Sequence, residues 1–426
     1  MAGMRPGTRA AMTSALAALI LLSACSVDGH AVNDSDPAAS AAIDVKSLDT
    51  GKYPTEPRKP FGKPTVENVL QYEGQRMAQF IVAPFEIDRD LTQMGLPTQM
   101  LFSRSSNVKA VVGEDVGGVP ANENVFYGYV ASASTPDSML RTGTKRSLNN
   151  MVARYLTAAD ATAAANQMAD VYGKRPKTTP VRPAGLSGSR VLTSPGGEPG
   201  NTSMASFTAH GTYVLVTSYT VDDAQKDMLE PAISKAVNLQ SALIDQFPAA
   251  PTKEEAAAHT RPSQKLLMDQ SRVLIYALPY SDKELEEGDI ADTNMGNVRA
   301  VYGPRAMSFR SDDPPGTFAL LNETGSTANA VERSTVYRAK TADGAKKIMD
   351  TLATGNKTRG RKSQPAPPNL PGARCAQEIA RNLTQYWCEV QVGRYVGEVF
   401  GEDLKDVQQQ ASAQYVILTK ADQNAN

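Results

Sequence analysis

Three cysteines and three histidines are the residues of this chain best suited to chemistry, and their spacing offers little to catalysis. His30, His210 and His259 lie far apart in the sequence, so we interpret each as structural or solvated rather than as a catalytic base. The chain has no G-x-S-x-G elbow, no H-E-x-x-H, no C-x-x-C, no Walker loop and no G-x-G-x-x-G. We therefore expect no catalytic residue, no metal site and no cofactor; a hydrolase with a dispersed active site stays open as the weakest alternative.

Cys25 directly follows an apolar segment near the amino terminus. Two arginines precede the uncharged stretch 10–22, whose 13 residues are fewer than the roughly 20 that span a membrane. The residues Leu22-Ser23-Ala24-Cys25 resemble the lipobox of bacterial lipoproteins. The resemblance implies a signal peptide over 1–24 and acylation of Cys25 after cleavage, which would anchor the chain in the membrane. An ordinary secretory signal with an incidental cysteine is the alternative.

The segment after Cys25 is small and polar, which predicts a lipidated flexible tether over 25–60 that prolines stiffen toward its end. Lys and Arg number 44 against 45 Asp and Glu, a formal charge of −1. That balance argues against nucleic acid as a partner, since a nucleic-acid-binding protein usually needs a basic face.

If Cys25 carries lipid, Cys375 and Cys388 remain as a pair. An even number of cysteines outside the cytoplasm predicts a disulfide between them. The alternatives are two free thiols or a catalytic cysteine. A catalytic cysteine would need a base nearby, and no histidine follows His259.

An internal repeat shows how the chain is organised. The segment 152–157 is similar to 336–341, which lies 184 residues later, and further matches follow in the same order. Such a repeat predicts two homologous units, 61–250 and 251–426, joined near Pro248.

Each unit has the same pattern of predicted elements. A short apolar run, 80–83 or 273–276, reads as a buried strand, and a helix begins at Thr157 or Thr341. A hairpin and a closing helix follow. This pattern predicts an α+β fold of two homologous repeated domains, each a mainly antiparallel sheet packed with helices.

A basic loop follows the repeated helix in both units. Because each cation near an anionic surface contributes about 1 kcal/mol, these loops could contact lipid headgroups or phosphorylated glycans. The alternative is that their charges only keep the loops hydrated. The candidate contacts are Lys174, Arg175 and Lys177 in the first unit and Lys357, Arg359, Arg361 and Lys362 in the second.

The lipobox, the segment Leu48-Asp49-Thr50-Gly51-Lys52-Tyr53-Pro54 and the two-unit layout together resemble a family of actinobacterial cell-envelope lipoproteins of unknown function. The resemblance implies a surface lipoprotein without assigned chemistry. We expect a lipid-anchored protein on the extracytoplasmic face of the cell membrane that binds an envelope component or a small apolar ligand. A protein-interaction or structural role without a ligand pocket is the alternative, and the expected partners are an envelope lipid, glycan or protein.

The anchor can be tested by replacing the acylated thiol. We expect the Cys25→Ala variant to lose lipid labelling and to leave the membrane fraction, because the thiol is the only group that can form the thioether to lipid. Radiolabelled fatty acid incorporation and membrane fractionation measure both effects. A variant that is still labelled and membrane-bound would show that the lipobox interpretation is wrong.

Overall fold

The structure is a computed structural model that describes residues 43–65, 69–95, 98–101, 105–137, 145–249, 267–281, 283–284, 299–380 and 383–425. The predicted lipobox with Cys25, together with His30 and His259, lies outside these residues. Residues from Asp44 onward form one compact unit. No helix in the described part of the chain has the length and apolar character that crossing a bilayer requires.

The described residues contain α-helices in both halves. They are α1 (Val69–Met77), α2 (Pro84–Ile87), α3 (Ser105–Val112), α4 (Glu114–Gly117), α5 (Ala158–Gly173), α6 (Leu229–Ile244), α7 (Pro304–Ser308), α8 (Pro314–Glu323), α9 (Ala342–Thr358) and α10 (Leu404–Thr419).

The strands fall into two sheets. The first sheet holds β1 (Gln93–Met94), β2 (Gln99–Leu101), β3 (Val125–Ser134), β4 (Arg146–Tyr155), β5 (Thr179–Val181), β6 (Ser189–Pro195), β7 (Asn201–His210) and β8 (Tyr213–Asp222). The second holds β9 (Ala300–Tyr302), β10 (Ala328–Val331), β11 (Thr335–Arg338), β12 (Lys362–Gln364), β13 (Arg374–Ala380), β14 (Leu383–Val392) and β15 (Tyr395–Gly401).

The two sheets have the same strand order. The first runs β1-β3-β4-β8-β7-β6-β5, with β2 also paired to β3, and the second, read from its other end, runs β9-β10-β11-β15-β14-β13-β12. Every pairing is antiparallel. The predicted α+β fold of two related domains is therefore confirmed.

Local sequence explains where the repeated elements begin and turn. Thr157 and Thr341 each accept a hydrogen bond from a backbone N–H three residues later, at 3.1 and 3.0 Å, and so cap α5 and α9. Gly211 and Gly393 adopt φ of 55° and 52° in the two hairpin turns, a conformation that glycine tolerates without strain. Both features agree with the predicted helix starts and hairpins.

The predicted strands at 80–83 and 273–276 are wrong. Ala78–Phe80 and Leu274–Tyr276 are single 3₁₀ turns, each followed by extended chain that pairs with no strand of the described residues. Phe80 is half-buried and the other apolar residues of both segments are buried, although neither segment belongs to a sheet. A short apolar run indicates burial without distinguishing between these two structures.

The predicted tether is also too long at its carboxyl end. From Asp44 to Pro60 the chain packs along the second half rather than extending freely. Leu48 and Tyr53 are buried, and the Tyr53 hydroxyl donates to Asp406 on α10 at 2.7 Å. The segment that suggested the family resemblance is thus a strap over the last helix.

The two halves share a hydrophobic core. Residues of α1 and β3 pack in one cluster with residues of α7, β11 and α9. At the edge of this cluster, Arg305 donates to both carboxylate oxygens of Glu86, at 3.0 and 2.8 Å. The side-chain oxygen of Gln79 accepts hydrogen bonds from the first backbone N–H groups of α7. These contacts hold the amino-terminal segment of one half against the other.

A buried glutamine occupies the same position in each half. Gln240 on α6 accepts from the Val82 N–H at 2.9 Å and donates to the Phe80 carbonyl at 2.8 Å. Gln414 on α10 accepts from the Leu278 N–H at 3.1 Å and donates to the Tyr276 carbonyl at 2.9 Å.

Each glutamine also contacts the neighbouring sheet. Asn150 on β4 donates to Gln240 at 2.8 Å, and Ser334, just before β11, donates to Gln414 at 2.5 Å. Both glutamines are fully buried. In each half, the amide therefore connects the last helix, the 3₁₀ turn and the sheet through hydrogen bonds. Both halves have this arrangement although the residues around the glutamine differ.

Removing one of these amides should be costly. In Gln240→Leu, the Val82 N–H and the Phe80 carbonyl stay buried without a partner, so we expect the free energy of unfolding to fall by about 2–5 kcal/mol. Urea unfolding followed by circular dichroism measures this loss. Asn238→Leu, at an exposed position of the same helix, should change it by less than about 0.5 kcal/mol. Equal effects of the two substitutions would contradict the role given to Gln240.

Candidate functional site

A cavity of about 390 Å³ lies in the first half, between the sheet and the ends of α3 and α5. Its floor is the face of β6, β7 and β8 that α5 covers, and the Gly-rich loop after β6 forms one wall. The lining residues are Val111, Val112, Asn149, Tyr172, Arg175, Pro176, Ser194, Pro195, Gly196, Gly197, Ser203, Ala205, Phe207, Val216 and Ser218.

The lining of this cavity combines apolar side chains with hydroxyl and amide groups. The Tyr172 and Phe207 rings pack at 5.5 Å, and the Tyr172 hydroxyl lies 2.7 Å from the hydroxyl of Ser194. The hydroxyl of Ser203 already pairs with Thr220 at 2.6 Å. Cavities of roughly 300–1,000 Å³ with apolar walls and few polar groups are typical of small-molecule sites.

Arg175, one of the predicted anion contacts, holds the wall of this cavity in place. Its guanidinium makes two hydrogen bonds to Asp115 on α4, at 2.9 and 2.5 Å, and a third to the Val112 carbonyl at 3.2 Å. The bond to Arg175 lowers the pKa of Asp115 to about 2. Arg359 follows Thr341 in the sequence by the same number of residues as Arg175 follows Thr157. It likewise pairs with an aspartate, Asp312, at 3.2 Å. In both halves, the repeated arginine therefore forms an ion pair with an aspartate of the same half.

The other predicted anion contacts lie around the end of α9 and the end of α5. Arg361 is held by Glu378 and Asn356, each at 2.8 Å, and its guanidinium stacks on Trp387 at 3.8 Å. The remaining candidates form no ion pair within the described part of the chain; they are Lys174, Lys177, Lys357 and Lys362. Two of the predicted anion contacts, Lys357 and Arg361, line one cavity.

That cavity lies in the second half and overlaps the position of the first only in part, because its strands β12, β13 and β14 correspond to β5, β6 and β7, whereas the floor of the first is β6, β7 and β8. It measures about 520 Å³ and lies between the carboxyl end of α9 and strands β12, β13 and β14. Where Tyr172 packs on Phe207 in the first half, Asn356 donates to Glu389 at 2.8 Å in the second. Where Val216 lies opposite Phe207 in the strand register, Glu398 lies opposite Glu389.

Burial, together with the nearby carboxylate of Glu398, raises the pKa of Glu389 to about 8. Burial also raises the pKa of Glu398, whose carboxylate accepts from the Tyr337 hydroxyl at 3.2 Å. Sequence analysis missed both residues because each is a single acidic residue in a strand, and only the register places them side by side.

Cys375 and Cys388 form a disulfide, as predicted. They are directly opposed on β13 and β14 with their Cα atoms 4.1 Å apart, on the face of the sheet that α10 covers. Val191 and Ser206 occupy the corresponding register in the first half, which has no crosslink there.

The one histidine within the described residues pairs with a carboxylate. His210, at the end of β7, lies 2.6 Å from Asp245 beyond α6, and both side chains are accessible to solvent. The described residues contain no group of three or more His, Cys, Asp or Glu side chains that could hold a metal ion.

The raised pKa of Glu389 predicts how stability depends on pH. The folded state keeps this proton up to about pH 8, whereas the unfolded chain loses it near 4.5, so unfolding becomes easier as pH rises through that window. We expect the fall in unfolding free energy between about pH 5 and pH 8 to be smaller in Glu389→Gln than in the parent chain. Urea titrations across that range measure it, and Glu402→Gln, at an exposed position, is the control. An unchanged slope in Glu389→Gln would refute the assignment.

Comparison with known proteins identifies a family. Residues 60–260 match the family described as "Domain of unknown function (DUF7373) N-terminal", and residues 280–421 match its C-terminal counterpart. The solved extracellular domain of PknH from Mycobacterium tuberculosis is similar at 12% identity over 41% of this chain and 95% of that chain, with a TM-score of 0.28, too low to support an inference. No curated protein matches. Because the two matches cover most of the chain, it belongs to the DUF7373 family, whose function is unknown.

Proposed function

We propose that this chain is a non-enzymatic lipoprotein on the extracytoplasmic face of the cell membrane, and that it binds a small, largely apolar ligand in the cavity of its first half. The observation that carries the binding role is the 390 Å³ cavity itself, since it is built into the main core of that half. Phe207 and Val216 belong both to this core and to the cavity wall.

The polar groups of the cavity favour a ligand with one hydrogen-bonding end. Asn149, Ser203 and Ser218 project from three adjacent strands on the same floor, whereas Val111 and Val112 lie opposite on α3. A ligand could pack its apolar part against the helices and form hydrogen bonds to the strands through its polar end. Arg175 is held by Asp115, so its charge is already neutralised and an anionic group is not required.

The anchor on Cys25 would keep this cavity at the membrane surface. The compact unit begins at Asp44, so residues 26–43 connect the acylated cysteine to the folded part. A ligand drawn from the envelope, either a lipid fragment or another apolar molecule, fits that placement. A protein that only docks on another envelope protein would need no such cavity.

Filling the cavity tests this proposal. We expect residues 26–426, secreted by a related envelope-bearing host, to carry an extra mass in native mass spectrometry that is lost on denaturation. Ser218→Leu should reduce the bound fraction at least about tenfold, because its larger side chain occupies the cavity. Ser234→Leu, a half-buried position on α6 at the other face of the sheet, is the matched control and should keep the mass.

Two results would contradict the proposal. One is a parent chain without any bound mass even after incubation with an extract of the host envelope. The other is a bound mass that Ser218→Leu retains in full, which would place the ligand elsewhere.

A further inference from the structure

The hairpin of β13 and β14 carries exposed apolar side chains at its turn. Ile379 and Leu383, on either side of that turn, are 65% and 56% exposed, and Phe400 on the neighbouring β15 is 50% exposed. No other large apolar side chain in the described part of the chain exceeds these values. Single exposed apolar residues are common on protein surfaces, whereas a group of them marks a contact site. We call this group the hairpin patch.

The strand register shows why the hairpin patch is uncovered. β12 pairs with β13 only as far as Gln377, and β15 pairs with β14 only from Tyr386 onward. The pairing of Ala380 with Leu383 lies beyond both limits. Among the described residues, the hairpin therefore ends as a two-stranded ribbon without a third strand on either side.

Both faces of this ribbon are apolar near its end. Side chains alternate between the two faces of a strand, so Leu383 and Trp387 lie on the same face, and Phe400 is paired with Trp387. Ile379 lies on the other face, because it is adjacent to Ala380, which is paired with Leu383. A groove on a partner protein typically covers one face of a ribbon, whereas a bilayer surrounds both.

The first half has polar or small residues at these positions. When Cys388 is matched with Ser206, the positions of the hairpin patch fall on Pro195, Asn201 and Ser218. β8 also pairs with β7 as far as Asn201, so the equivalent ribbon has a third strand. The apolar end of the hairpin is therefore specific to the second half and is not required by the repeated fold.

The predicted anchor enters the folded part near the end of β15. Asp49, in the strap, accepts from the Gln409 amide at 2.9 Å, in the second turn of α10. That helix begins at Leu404, three residues after β15 ends. A flexible chain as long as residues 26–43 spans roughly 20–25 Å on average, less than the diameter of about 50 Å for a compact unit of this size. An acylated Cys25 would therefore keep this side of the second half nearest to the bilayer.

The charges close to the hairpin patch are of both signs. Exposed Lys362 is opposite Gln377 in the register, and exposed Glu402, Asp403 and Lys405 follow β15. Because these charges nearly cancel, attraction to anionic headgroups cannot be the main force. Burial of the apolar side chains must supply the contact instead.

We propose that the hairpin patch inserts into the extracytoplasmic leaflet of the membrane and thereby orients the folded part on it. Ile379, Leu383 and Phe400 lie among the upper acyl chains, whereas Tyr386 and Trp387, one on each face of the ribbon, lie at the level of the headgroups, where aromatic rings are favoured. This inference rests on the membrane placement given under the proposed function and is independent of the ligand of the first half.

Trp387, the only tryptophan of the chain, reports on insertion. In residues 25–426, the disulfide between Cys375 and Cys388 leaves Cys25 as the single free thiol, which can be coupled to a maleimide lipid in phosphatidylcholine vesicles. We expect lipids with a spin label in the upper acyl chain to quench the Trp387 fluorescence, equally at low and at high salt.

Two apolar substitutions test the hairpin patch directly. Ile379→Ser combined with Leu383→Ser should lower the equilibrium constant for insertion, calculated from the quenched fraction, at least about tenfold, because two apolar side chains no longer leave water. Leu239→Ser, at a 41% exposed position on α6, is the matched control and should leave the quenching unchanged. Since all three positions are exposed, equal midpoints of urea unfolding should show that every variant is folded.

Each contrary result overturns the proposal. Trp387 fluorescence that spin-labelled lipid does not quench would show that the hairpin patch stays in water. Because the coupling supplies the anchor chemically, that result leaves acylation of Cys25 and the ligand of the first half to their own tests. Quenching that the double variant retains would place the membrane contact elsewhere. Self-association of the parent chain without quenching, abolished in the double variant, would assign the hairpin patch to a second copy of the chain.

Discussion

The buried glutamines Gln240 and Gln414 are the constraint on which the rest of the structure depends. Each amide lies where the last helix of its half crosses a 3₁₀ turn and the sheet, and each supplies both a donor and an acceptor to backbone groups that have no strand to pair with. Without the amide, the Val82 N–H and the carbonyls of Phe80 and Tyr276 would lose these partners, whereas the Leu278 N–H would keep its bond to Ser334 at 2.8 Å. The amide thereby fixes the positions of the helix, the turn and the sheet relative to one another. In the first half, the opposite face of the same sheet is the floor of the cavity.

The two halves show how one fold can hold different chemistry. Helix starts, hairpin turns, strand order and the tie from Arg175 or Arg359 to an aspartate are the same in both. The residues facing the cavity are not the same, since Phe207 gives way to Glu389.

Two segments at the amino-terminal end of the folded part contact the second half. The strap from Asp44 to Pro60 crosses the second half, and Arg58 there pairs with the buried Glu332. The segment that contains α1 and α2 lies against α7. The polypeptide therefore contacts its second half through a segment that precedes the first half in the sequence.

The sequence by itself determined the features that depend on local or periodic chemistry. Threonine caps, hairpin glycines, the repeat and the pairing of Cys375 with Cys388 were all predictable, because each rests on a residue type at a fixed spacing. Tertiary structure alone decided the rest. Whether the run 80–83 forms a strand or a turn depends on Gln240, which lies about 160 residues away. The polar cavity depends on strand register, which places Glu389 opposite Glu398 although neither residue carries a local signal.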